Sequence, residues 1–591
     1  MILQSLVKLY DDLVSRGEIA HFGWSPTKTS YALCLDTEGN LIQVVPQLVV
    51  PQSDKVSSGK KPVFRPTQKI LPAAVKRASG ILPNFLWDNS IYILGFRKFD
   101  EKRDGKKIEK PENGLVPCPN HFEASREFHH SLLDCVHTQT AQAILKFFDT
   151  WDYKDPSKFS LLSDDLDGIL SGGNLIFRVD GIFAQEDPEI QAAWQAHYEE
   201  ADGARMQCLA SGKIDFIESV HPSIKGVQGA QSSGAALVSF NAPAFCSYEK
   251  KQNLNAPVGK YSAFAYTSAL NYLLADFENV QHIGDTTVVC WADGADPKYT
   301  AFSCAAMFGN APPQGFTDSD LRSALKRLAN GLPCEKLSLD PNRQFYILGL
   351  APNAARISVR FFLRNSFGAI MQNINAHHER MEIAGSKYQI IPLWAMLKET
   401  VNPHSTDKSP SPAMSGATAR AIFSGTPYPA SLLEAVTMRI RAERNITPGR
   451  AAMIKAYYLE NPTPQCPKEV LTVSLNKNST NIPYTLGRLF SIYEAVQERA
   501  NPGINATIKD KYFNSASSTP ATIFPILDNL CQKHLRKLDT GIRIYFDRQI
   551  CDLKDRLGEA YPLRLTLPEQ GAFNLGYYHQ YNDRFTKKED K

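Results

Sequence analysis

The pattern of apolar residues changes near residue 370, and this change constrains the fold more than any other feature of the sequence. Before it, short apolar runs bounded by Gly, Pro and Asn predict β-strands between helices. After it, apolar residues recur three and four positions apart between Pro and Gly breaks, as in packed helices. The sequence therefore predicts an α+β fold, in which a mixed N-terminal α/β domain with antiparallel strands precedes a C-terminal α-helical bundle.

The length of the chain requires more than one domain, because single hydrophobic cores stop growing at ~250–300 residues. This chain has 591 residues. We predict an N-terminal α+β domain over residues 1–370, a helical connecting region over 371–470 and a C-terminal helical bundle over 471–591.

The same periodicities predict individual elements. Helices are expected over 2–16, 120–152, 188–201, 261–275, 317–331, 484–499, 524–538 and 541–557. Strands are expected over 31–35, 41–50, 85–96, 174–180 and 286–291, with two more within 344–364 and one at each end of 208–241. Pro46 cannot donate a ladder hydrogen bond, so its strand belongs at a sheet edge or at a bulge.

Charge is concentrated near the N-terminus. The whole chain carries a net charge of only +4, but residues 54–110 hold 14 Lys and Arg against 6 Asp and Glu. A basic segment on a nearly neutral body predicts contact with a polyanion, and solvated loops are the alternative. Within it, residues 51–77 are expected to form a mobile basic loop, and the mixed-sign segment 97–110 a solvated one.

Motifs of catalysis and export are missing from the sequence. It has no GxxxxGK(S/T) phosphate loop, no GxGxxG after a strand and no GxSxG elbow. Its 11 cysteines form no CxxC pair, and no apolar run reaches the ~18 residues of a membrane span. The N-terminus lacks the basic and apolar regions of a signal peptide. We therefore expect a cytoplasmic protein that is not an enzyme and needs neither cofactor nor metal.

One histidine cluster could contradict this expectation. His129, His130 and Asp134 lie close enough in sequence to suggest a metal-dependent nuclease. The alternative is an ordinary helix face, which His129 would share with neighbouring leucines. No distant carboxylate cluster completes a metal site, so the helix face is the favoured interpretation.

Two other sets of residues are weaker candidates. His377 and His378 are adjacent in a predicted helix, where side chains point about 100° apart, so a solvated helix face is expected. His221 and Lys225 could form an acid–base pair. The glycine-rich sequence around them favours a binding loop instead.

The central segment HPSIKGVQGAQSSGAAL combines residue types suited to a nucleic-acid groove. Its glycines permit close backbone approach, Gln228 and Gln231 carry both donors and acceptors, and Lys225 can bind a phosphate. A Gly/Ser turn packed on a sheet is the alternative. The next segment, SFNAPAFCSYEKKQNLNAP, places Tyr248 among amides and lysines, as in nucleic-acid-binding loops and in some ordinary ones.

These patterns give a set of expected nucleic-acid-binding residues in three segments, which the family resemblance described below would make DNA-binding residues. They are Lys55, Lys60, Lys61, Arg65, Gln68, Lys69, Lys76, Arg77, Lys225, Gln228, Gln231, Ser232, Asn241, Lys250 and Lys251. Gln68, Gln228 and Gln231 are candidates for recognising base edges, and the family resemblance described next would make each of them an alternative candidate for separating the strands of a duplex.

Five blocks of the sequence resemble the large subunit of type I-C CRISPR surveillance complexes. They are residues 84–96, 221–258, 263–274, 286–293 and 345–362, and they occur in the order expected for that family. The resemblance extends over nearly the whole chain, and the block 221–258 is the most specific. A non-catalytic subunit that binds DNA follows as the leading interpretation, with a metal-dependent nuclease or a scaffold without DNA contact as alternatives.

The resemblance also implies partners and a mechanism. The N-terminal domain would recognise the protospacer-adjacent motif in double-stranded DNA and promote strand opening and R-loop formation, while the guide RNA (crRNA) supplies sequence specificity. The C-terminal helices would resemble a small subunit and support displaced DNA. Expected partners are the guide RNA, the other backbone subunits of the Cascade complex, target DNA, a helicase–nuclease and a small subunit translated from the same message.

Overall fold

The computed structural model describes residues 1–49, 64–75, 77, 80–104, 109–111, 114–155, 162, 165–200 and 203–585. The chain divides into two compact units. The first comprises Met1–Pro222 and Val238–Leu270, and the second comprises Ser223–Leu237 and Asn271–Lys591. Residues 371–470 and 471–591 thus share one unit, and the proposed functional boundaries at 370/371 and 470/471 stay a prediction.

Helices and strands follow the order expected for an α+β protein. The helices are α1 (Ile2–Ser15), α2 (Ser90–Ile93), α3 (Glu101–Asp104), α4 (Pro119–Leu133), α5 (Gln139–Thr150), α6 (Leu166–Leu170), α7 (Pro188–Glu199), α8 (Lys260–Ala275), α9 (Pro297–Phe308), α10 (Asp318–Ala329), α11 (Phe367–Met381), α12 (Leu393–Lys398), α13 (Pro412–Ser424), α14 (Ala430–Glu443), α15 (Pro448–Glu460), α16 (Ile482–Ala500), α17 (Ile508–Ser518), α18 (Pro520–Leu535), α19 (Thr540–Lys554) and α20 (Leu567–Asp583). The strands are β1 (Trp24–Thr29), β2 (Tyr31–Leu35), β3 (Leu41–Pro46), β4 (Leu48–Val49), β5 (Arg65–Pro72), β6 (Trp87–Asp88), β7 (Phe96–Lys98), β8 (Leu115–Pro117), β9 (Leu175–Val179), β10 (Ile182–Phe183), β11 (Arg205–Gln207), β12 (Ile214–Phe216), β13 (Gln281–Ile283), β14 (Thr286–Ala292), β15 (Gln344–Asn353) and β16 (Arg356–Ser366). The predicted α+β fold is confirmed.

A five-stranded sheet lies in the first unit, in the order β10-β9-β2-β3, and β6 pairs with β9 as well. β9 runs parallel to β2, while its other pairings are antiparallel. Phe177 of β9 packs with Phe147 and Phe148 of α5 and with Trp194 of α7 in one core. β3 is the edge strand of this sheet, which confirms the position predicted from Pro46.

A second sheet of the first unit corrects the prediction for residues 51–77. Residues 65–72 form β5, which pairs antiparallel with β1 over residues 67–72 and with β4 at residues 65 and 66. The composition of the segment hid this strand, because the alternation that buries Leu71 and exposes Ile70 is short and interrupted by prolines. Residues 51–63 and 76 of the predicted loop lie outside the described residues.

The apolar run 85–96 is not one strand. It forms the short strand β6, then the helical turn α2 and then the start of β7. The cause is local: Asn89 accepts a hydrogen bond from the backbone N–H of Ile91 at 3.1 Å and so starts a helix. The predicted helix over 120–152 is likewise two helices, because Thr138 accepts a hydrogen bond from the backbone N–H of Ala141 at 3.2 Å and starts α5.

Two further predictions are wrong. The segment 97–110 is not merely solvated, because Arg97 donates to Asp104 at 2.8 Å and Asp104 is buried. This hydrogen bond lowers the pKa of Asp104 to about 2. Residues 236–241 form no strand, although Ala236 makes a single β-bridge to Arg356.

The second unit is built around an antiparallel four-stranded sheet in the order β13-β14-β15-β16. Every residue of β14 is buried. Phe345 and Phe361 of this sheet join Phe302 of α9 and Phe367 of α11 in a core that continues into the C-terminal helices. The helices predicted over 317–331, 484–499, 524–538 and 541–557 are confirmed as α10, α16, α18 and α19. Within the ranges given above, no helix is long and apolar enough to cross a membrane.

Two glycines allow α16 and α20 to pack with their backbones in contact. A Cβ at Gly487 would collide with the carbonyl oxygen of Phe573, and a Cβ at Gly576 would collide with that of Tyr484. Buried polar pairs continue the same interface, including Arg488, which donates to Gln580 at 3.1 Å. The absence of a side chain at these two positions therefore sets the distance between the helices.

We predict that Gly487→Ala lowers the free energy of unfolding of the second unit by about 2–3 kcal/mol, because the added methyl group would collide with the backbone of α20. The measurement is the thermal unfolding midpoint of the full chain. Gly541→Ala is the matched control, since its Cβ would enter open space on α19 and should leave stability equal or slightly higher. Equal midpoints for Gly487→Ala and the unaltered chain would contradict the packing argument.

Candidate DNA-binding surface

The segment 223–237 forms a loop with a rigid base in the second unit. Ile224 and Ala235 pair through two backbone hydrogen bonds of 2.9 and 2.8 Å, which close the loop at its ends. Ala236 then donates to the carbonyl of Ala355 at 3.1 Å and accepts from the N–H of Ile357 at 3.0 Å. The loop is therefore attached to the start of β16, and residues 225–234 project from a fixed base.

Polar side chains of β14 and α8 bind the backbone of the loop 223–237. Asn271 accepts from the backbone N–H of Lys225 at 2.8 Å and donates to the carbonyl of Ser223 at 3.1 Å. Thr287 accepts from the backbone N–H of Gln228 at 3.0 Å, and the side chain of Val227 is buried. These contacts use backbone groups, so they fix the loop without engaging its polar side chains.

The glycines of this loop serve its own fold. Gly226 and Gly234 have φ of +92° and +102°, which side-chain-bearing residues rarely adopt. A Cβ at Gly226 would lie 3.1 Å from that of Leu274, and one at Gly234 would lie 2.8 Å from that of Ser223. The alternative predicted for these glycines, a turn packed on the protein, is thus the one that the geometry supports.

The four predicted side chains of this loop point away from the core. Lys225, Gln228, Gln231 and Ser232 are all exposed. Together they present one cation, two amides and one hydroxyl group from a backbone that is fixed at both ends. Such a set can donate and accept hydrogen bonds at base edges while the lysine contacts a phosphate.

A second loop, residues 239–257, belongs to the first unit. Asn255 organises it: its Oδ1 accepts from the N–H of Ser247 at 2.9 Å, and its Nδ2 donates to the carbonyls of Lys250 and Gln252 at 3.0 and 2.9 Å. Lys250, Lys251 and Asn241 are exposed. The loop therefore holds two adjacent lysines at the surface in a defined backbone conformation.

The strand β5 contributes three of the predicted residues, in different surroundings. Gln68 is exposed and lies opposite Lys28 of β1, which is exposed as well. Lys69 points to the other face, where its Nζ lies 3.8 Å from the centre of the Phe183 ring. Arg65 is exposed at the start of the strand. Lys28 was missed in the sequence, because only the strand register places it beside Gln68.

Arg77 has a structural role. Its guanidinium forms an ion pair with Asp88, donates from Nε to the carbonyl of Leu82 at 2.7 Å and lies 4.1 Å above the centre of the Tyr92 ring. Asp88 is buried, and burial raises its pKa although Arg77 opposes the shift. A guanidinium with three structural contacts is a poor phosphate ligand. Lys55, Lys60, Lys61 and Lys76 lie outside the described residues.

The histidines considered for a nuclease do not converge on one point. His129 is buried; its Nδ1 donates to the carbonyl of Ser125 at 2.7 Å and its Nε2 accepts from the N–H of Leu86 at 3.0 Å. Burial lowers its pKa to about 4, so the ring is neutral. His130 lies instead between Asp134 and Asp149, at 2.8 and 3.1 Å. Both nitrogens of His129 are thus occupied within the core.

The prediction for His377 and His378 is wrong. His377 and His378 are buried and not on a solvated face: they contact the hydroxyl of Tyr428 and the carbonyl of Ala306, each at 2.7 Å. His221 is buried and bonded to the hydroxyl of Tyr266 at 2.7 Å. Where side chains are described, no three His, Cys, Asp or Glu residues are grouped so that they could hold a metal ion.

The chain is similar to a known protein family. The model of that family, described as CRISPR-associated protein (Cas_Csd1), matches residues 6–585. No curated protein matches the chain.

We predict that His129 makes stability depend on pH. The pKa of His129 is near 6.5 in the unfolded chain and about 4 in the folded protein, so its contribution is complete above pH 6.5 and is lost as the pH falls toward 4. Between pH 7 and pH 5 this loss amounts to about 2 kcal/mol. In urea unfolding, the free energy of unfolding of His129→Gln should therefore fall less between pH 7 and pH 5 than that of the unaltered chain.

His130→Gln is the control for this prediction. Burial lowers the pKa of His130, but its hydrogen bonds to Asp134 and Asp149 outweigh that effect and raise it. Its contribution is therefore present at low pH and is lost as the pH rises through the folded pKa. His130→Gln should not reduce the loss of stability between pH 7 and pH 5. If the stability of His129→Gln and that of the unaltered chain depend equally on pH, His129 is not the source of this pH dependence.

Proposed function

Because the chain belongs to the Cas_Csd1 family of CRISPR-associated proteins, we propose that it is the large subunit of an RNA-guided type I-C surveillance complex in antiviral defence. In this proposal the subunit is not an enzyme. It recognises the protospacer-adjacent motif in double-stranded DNA, promotes strand opening and R-loop formation, and leaves cleavage to a recruited helicase–nuclease. Guide RNA and the other backbone subunits of the complex supply target selection.

The observation that carries the proposal is the geometry of the loop 223–237. A motif of a few base pairs can be recognised by a few donors and acceptors, provided that the backbone beneath them is fixed. The loop meets that condition, since its backbone is bonded to Asn271, Thr287 and Ala355 while Gln228 and Gln231 are exposed. Lys225 would hold a phosphate beside them and fix the register of the contacts.

Non-specific affinity would come from the exposed cations. Lys250 and Lys251 on the second loop and Lys28 on β1 are exposed and can neutralise phosphates. Each phosphate contact releases counterions, which makes this part of the affinity dependent on salt and independent of sequence. Strand opening costs a few kcal/mol per unstacked step, and such contacts offset it when the two strands separate.

The C-terminal helices offer a surface for displaced DNA. The end of α18, the following turn and α19 expose five cations: Lys533, Arg536, Lys537, Arg543 and Arg548. The aromatic ring of Tyr545 is exposed among them. Cations with an exposed aromatic ring suit a single strand, whose phosphates and unstacked bases are both accessible.

The engaged state of His129 supports the non-catalytic role, because a neutral imidazole with both nitrogens bonded in the core can neither bind a metal nor transfer a proton. His377 contacts Tyr428 within the core of the second unit. Hydrolysis of the target is accordingly assigned to the recruited helicase–nuclease. A small subunit translated from the same message would complete the assembly.

We predict that replacing Lys225, Gln228 and Gln231 together by Ala weakens binding of the guide-loaded complex to duplex DNA with the motif by about 100-fold, since each lost base contact is worth ~1–3 kcal/mol. The measurement is titration of the assembled complex with matched duplexes. Assembly itself should be unaffected, because the hydrogen bonds that hold the loop run through the backbone N–H groups of Lys225 and Gln228, which the substitutions retain.

A target with a pre-opened protospacer is the internal control. Its strands no longer need to be separated, so the triple variant should bind it within about threefold of the unaltered complex. Equal losses on the closed and pre-opened targets would argue against motif recognition by this loop. Unchanged binding to both would indicate a scaffold that does not contact the motif.

We predict further that Lys250→Gln with Lys251→Gln reduces the dependence of log affinity on log salt by up to about 2, because each phosphate contact contributes ~0.9 to the slope. The matched control is Lys98→Gln with Lys146→Gln. These lysines have the same charge but are paired with Asp167 and Glu38. Equal slopes in the two double variants would contradict a phosphate contact by the 239–257 loop.

A further inference from the structure

Tyr248 is the most exposed large apolar side chain of the described residues. The residue is 93% exposed, and it lies in a turn within the loop 239–257. Large aromatic side chains are usually buried, because removing them from water is favourable. A ring with this exposure either contacts a binding partner or is exposed by chance in an unconstrained turn. The backbone conformation of the loop distinguishes these two explanations.

The backbone under this ring is held in an unfavourable conformation. Tyr248 and Glu249 have φ of +52° and +58°, and Gln252 has φ of +49°. Residues other than glycine adopt this region uncommonly, and three within five positions indicate a conformation that the surroundings enforce. An unconstrained surface turn would relax to ordinary φ values, so the position of the ring is imposed by the loop.

The side chain of Asn255 enforces that conformation. Its three hydrogen bonds, to the N–H of Ser247 and the carbonyls of Lys250 and Gln252, span the residues on both sides of Tyr248. Asn253 is buried, and its N–H donates to the carbonyl of Ser219 at 3.3 Å. The ring is thus presented by a loop that is closed by one amide and attached to the first unit at its base.

The neighbouring charges indicate the kind of ligand. Lys250 and Lys251 are exposed and follow Tyr248 in the chain after Glu249, which is the one acidic residue of the loop. An aromatic ring beside cations suits an unpaired nucleotide, whose base stacks on the ring while its phosphate meets a lysine. A paired base within a duplex offers no free face to such a ring.

We propose that Tyr248 stacks on an unpaired base of target DNA after the strands have opened. This inference rests on the proposed function and adds the ligand class of the 239–257 loop: a single-stranded nucleotide, recognised by its flat face and its phosphate, without preference for sequence. The loop therefore acts after motif recognition, by retaining an opened strand.

Tyr248→Ala tests the proposal in the guide-loaded complex. It should weaken binding to a target with an unpaired segment by about tenfold, because one stacked base is lost. Tyr248→Phe and Tyr248→Trp should bind as well as the unaltered complex, since they keep the stacking face. Asn255→Ala should give an intermediate loss, because the ring remains while its support is removed.

Phe277→Ala is the matched control. Phe277 is 88% exposed in the second unit, but its neighbours are Asp276 and Glu278, so it lacks the cations. Its removal should not change affinity. An unpaired 2-aminopurine in the target supplies a direct signal: its fluorescence should be quenched by the unaltered complex and not by the complex with Tyr248→Ala.

The outcomes separate this inference from the proposed function. If the unaltered complex does not bind target DNA, the proposed function fails and stacking fails with it. If the complex binds and Tyr248→Ala binds equally well without a change in quenching, the stacking role alone is wrong. If Tyr248→Ala prevents assembly while the free subunit unfolds at the same temperature, the ring docks onto a protein subunit and the proposal is overturned.

Discussion

Attachment of loops through their backbones is the interaction on which the proposed surface depends. The loop 223–237 is mostly polar, but the side chains of Ile224, Val227 and Ala235 are buried. Each of them anchors the loop to the rest of the second unit. Asn271 and Thr287 accept hydrogen bonds from the backbone N–H groups of Lys225 and Gln228 and so hold the loop at two points along its length. A free loop of this length would lose ~1–2 kcal/mol of conformational entropy per residue on binding, and a fixed one has lost it during folding.

The same principle applies to the loop 239–257 with different chemistry. There one side chain, that of Asn255, replaces the sheet as the support, and it holds residues at φ values that each cost of order 1 kcal/mol. In the first loop glycines adopt positive φ without this penalty, as Gly226 and Gly234 show. At a position with positive φ, tyrosine has a higher conformational energy than glycine. Tyrosine at position 248 therefore indicates that its side chain has a role.

The sequence predicted those parts of the fold that depend on periodicity. Long amphipathic helices such as α16 and α18 were predicted within a few residues, because their apolar faces repeat over several turns. The strand β5 was missed, since its short alternation is interrupted by prolines and its pairing with β1 is not visible locally. The run 85–96 was misassigned because Asn89, one residue in an apolar stretch, starts a helix.

The sequence predicted which residue types could form the candidate site, but it did not predict which contacts each side chain already makes. Exposure of Lys225, Gln228 and Gln231 agrees with the sequence pattern, whereas Arg77 is drawn into an ion pair with Asp88, eleven positions away. A basic residue in a charged segment can bind a phosphate or hold a turn, and composition does not separate the two. The decisive quantity is the number of contacts that the cation already makes, which only the folded chain supplies.

The histidines show how burial determines chemistry. His129, His378 and His579 have a pKa that burial lowers to about 4, and each ring contacts a hydroxyl, an amide or a carbonyl group of the core. These rings act as neutral hydrogen-bonding groups of the core, and His129 uses one nitrogen as a donor and the other as an acceptor. The sequence displays the same residues as possible metal ligands, because histidine spacing carries no information about solvent. It is therefore the exposed amides, lysines and Tyr248 that remain available to a ligand, and under the proposed function that ligand is a nucleic acid.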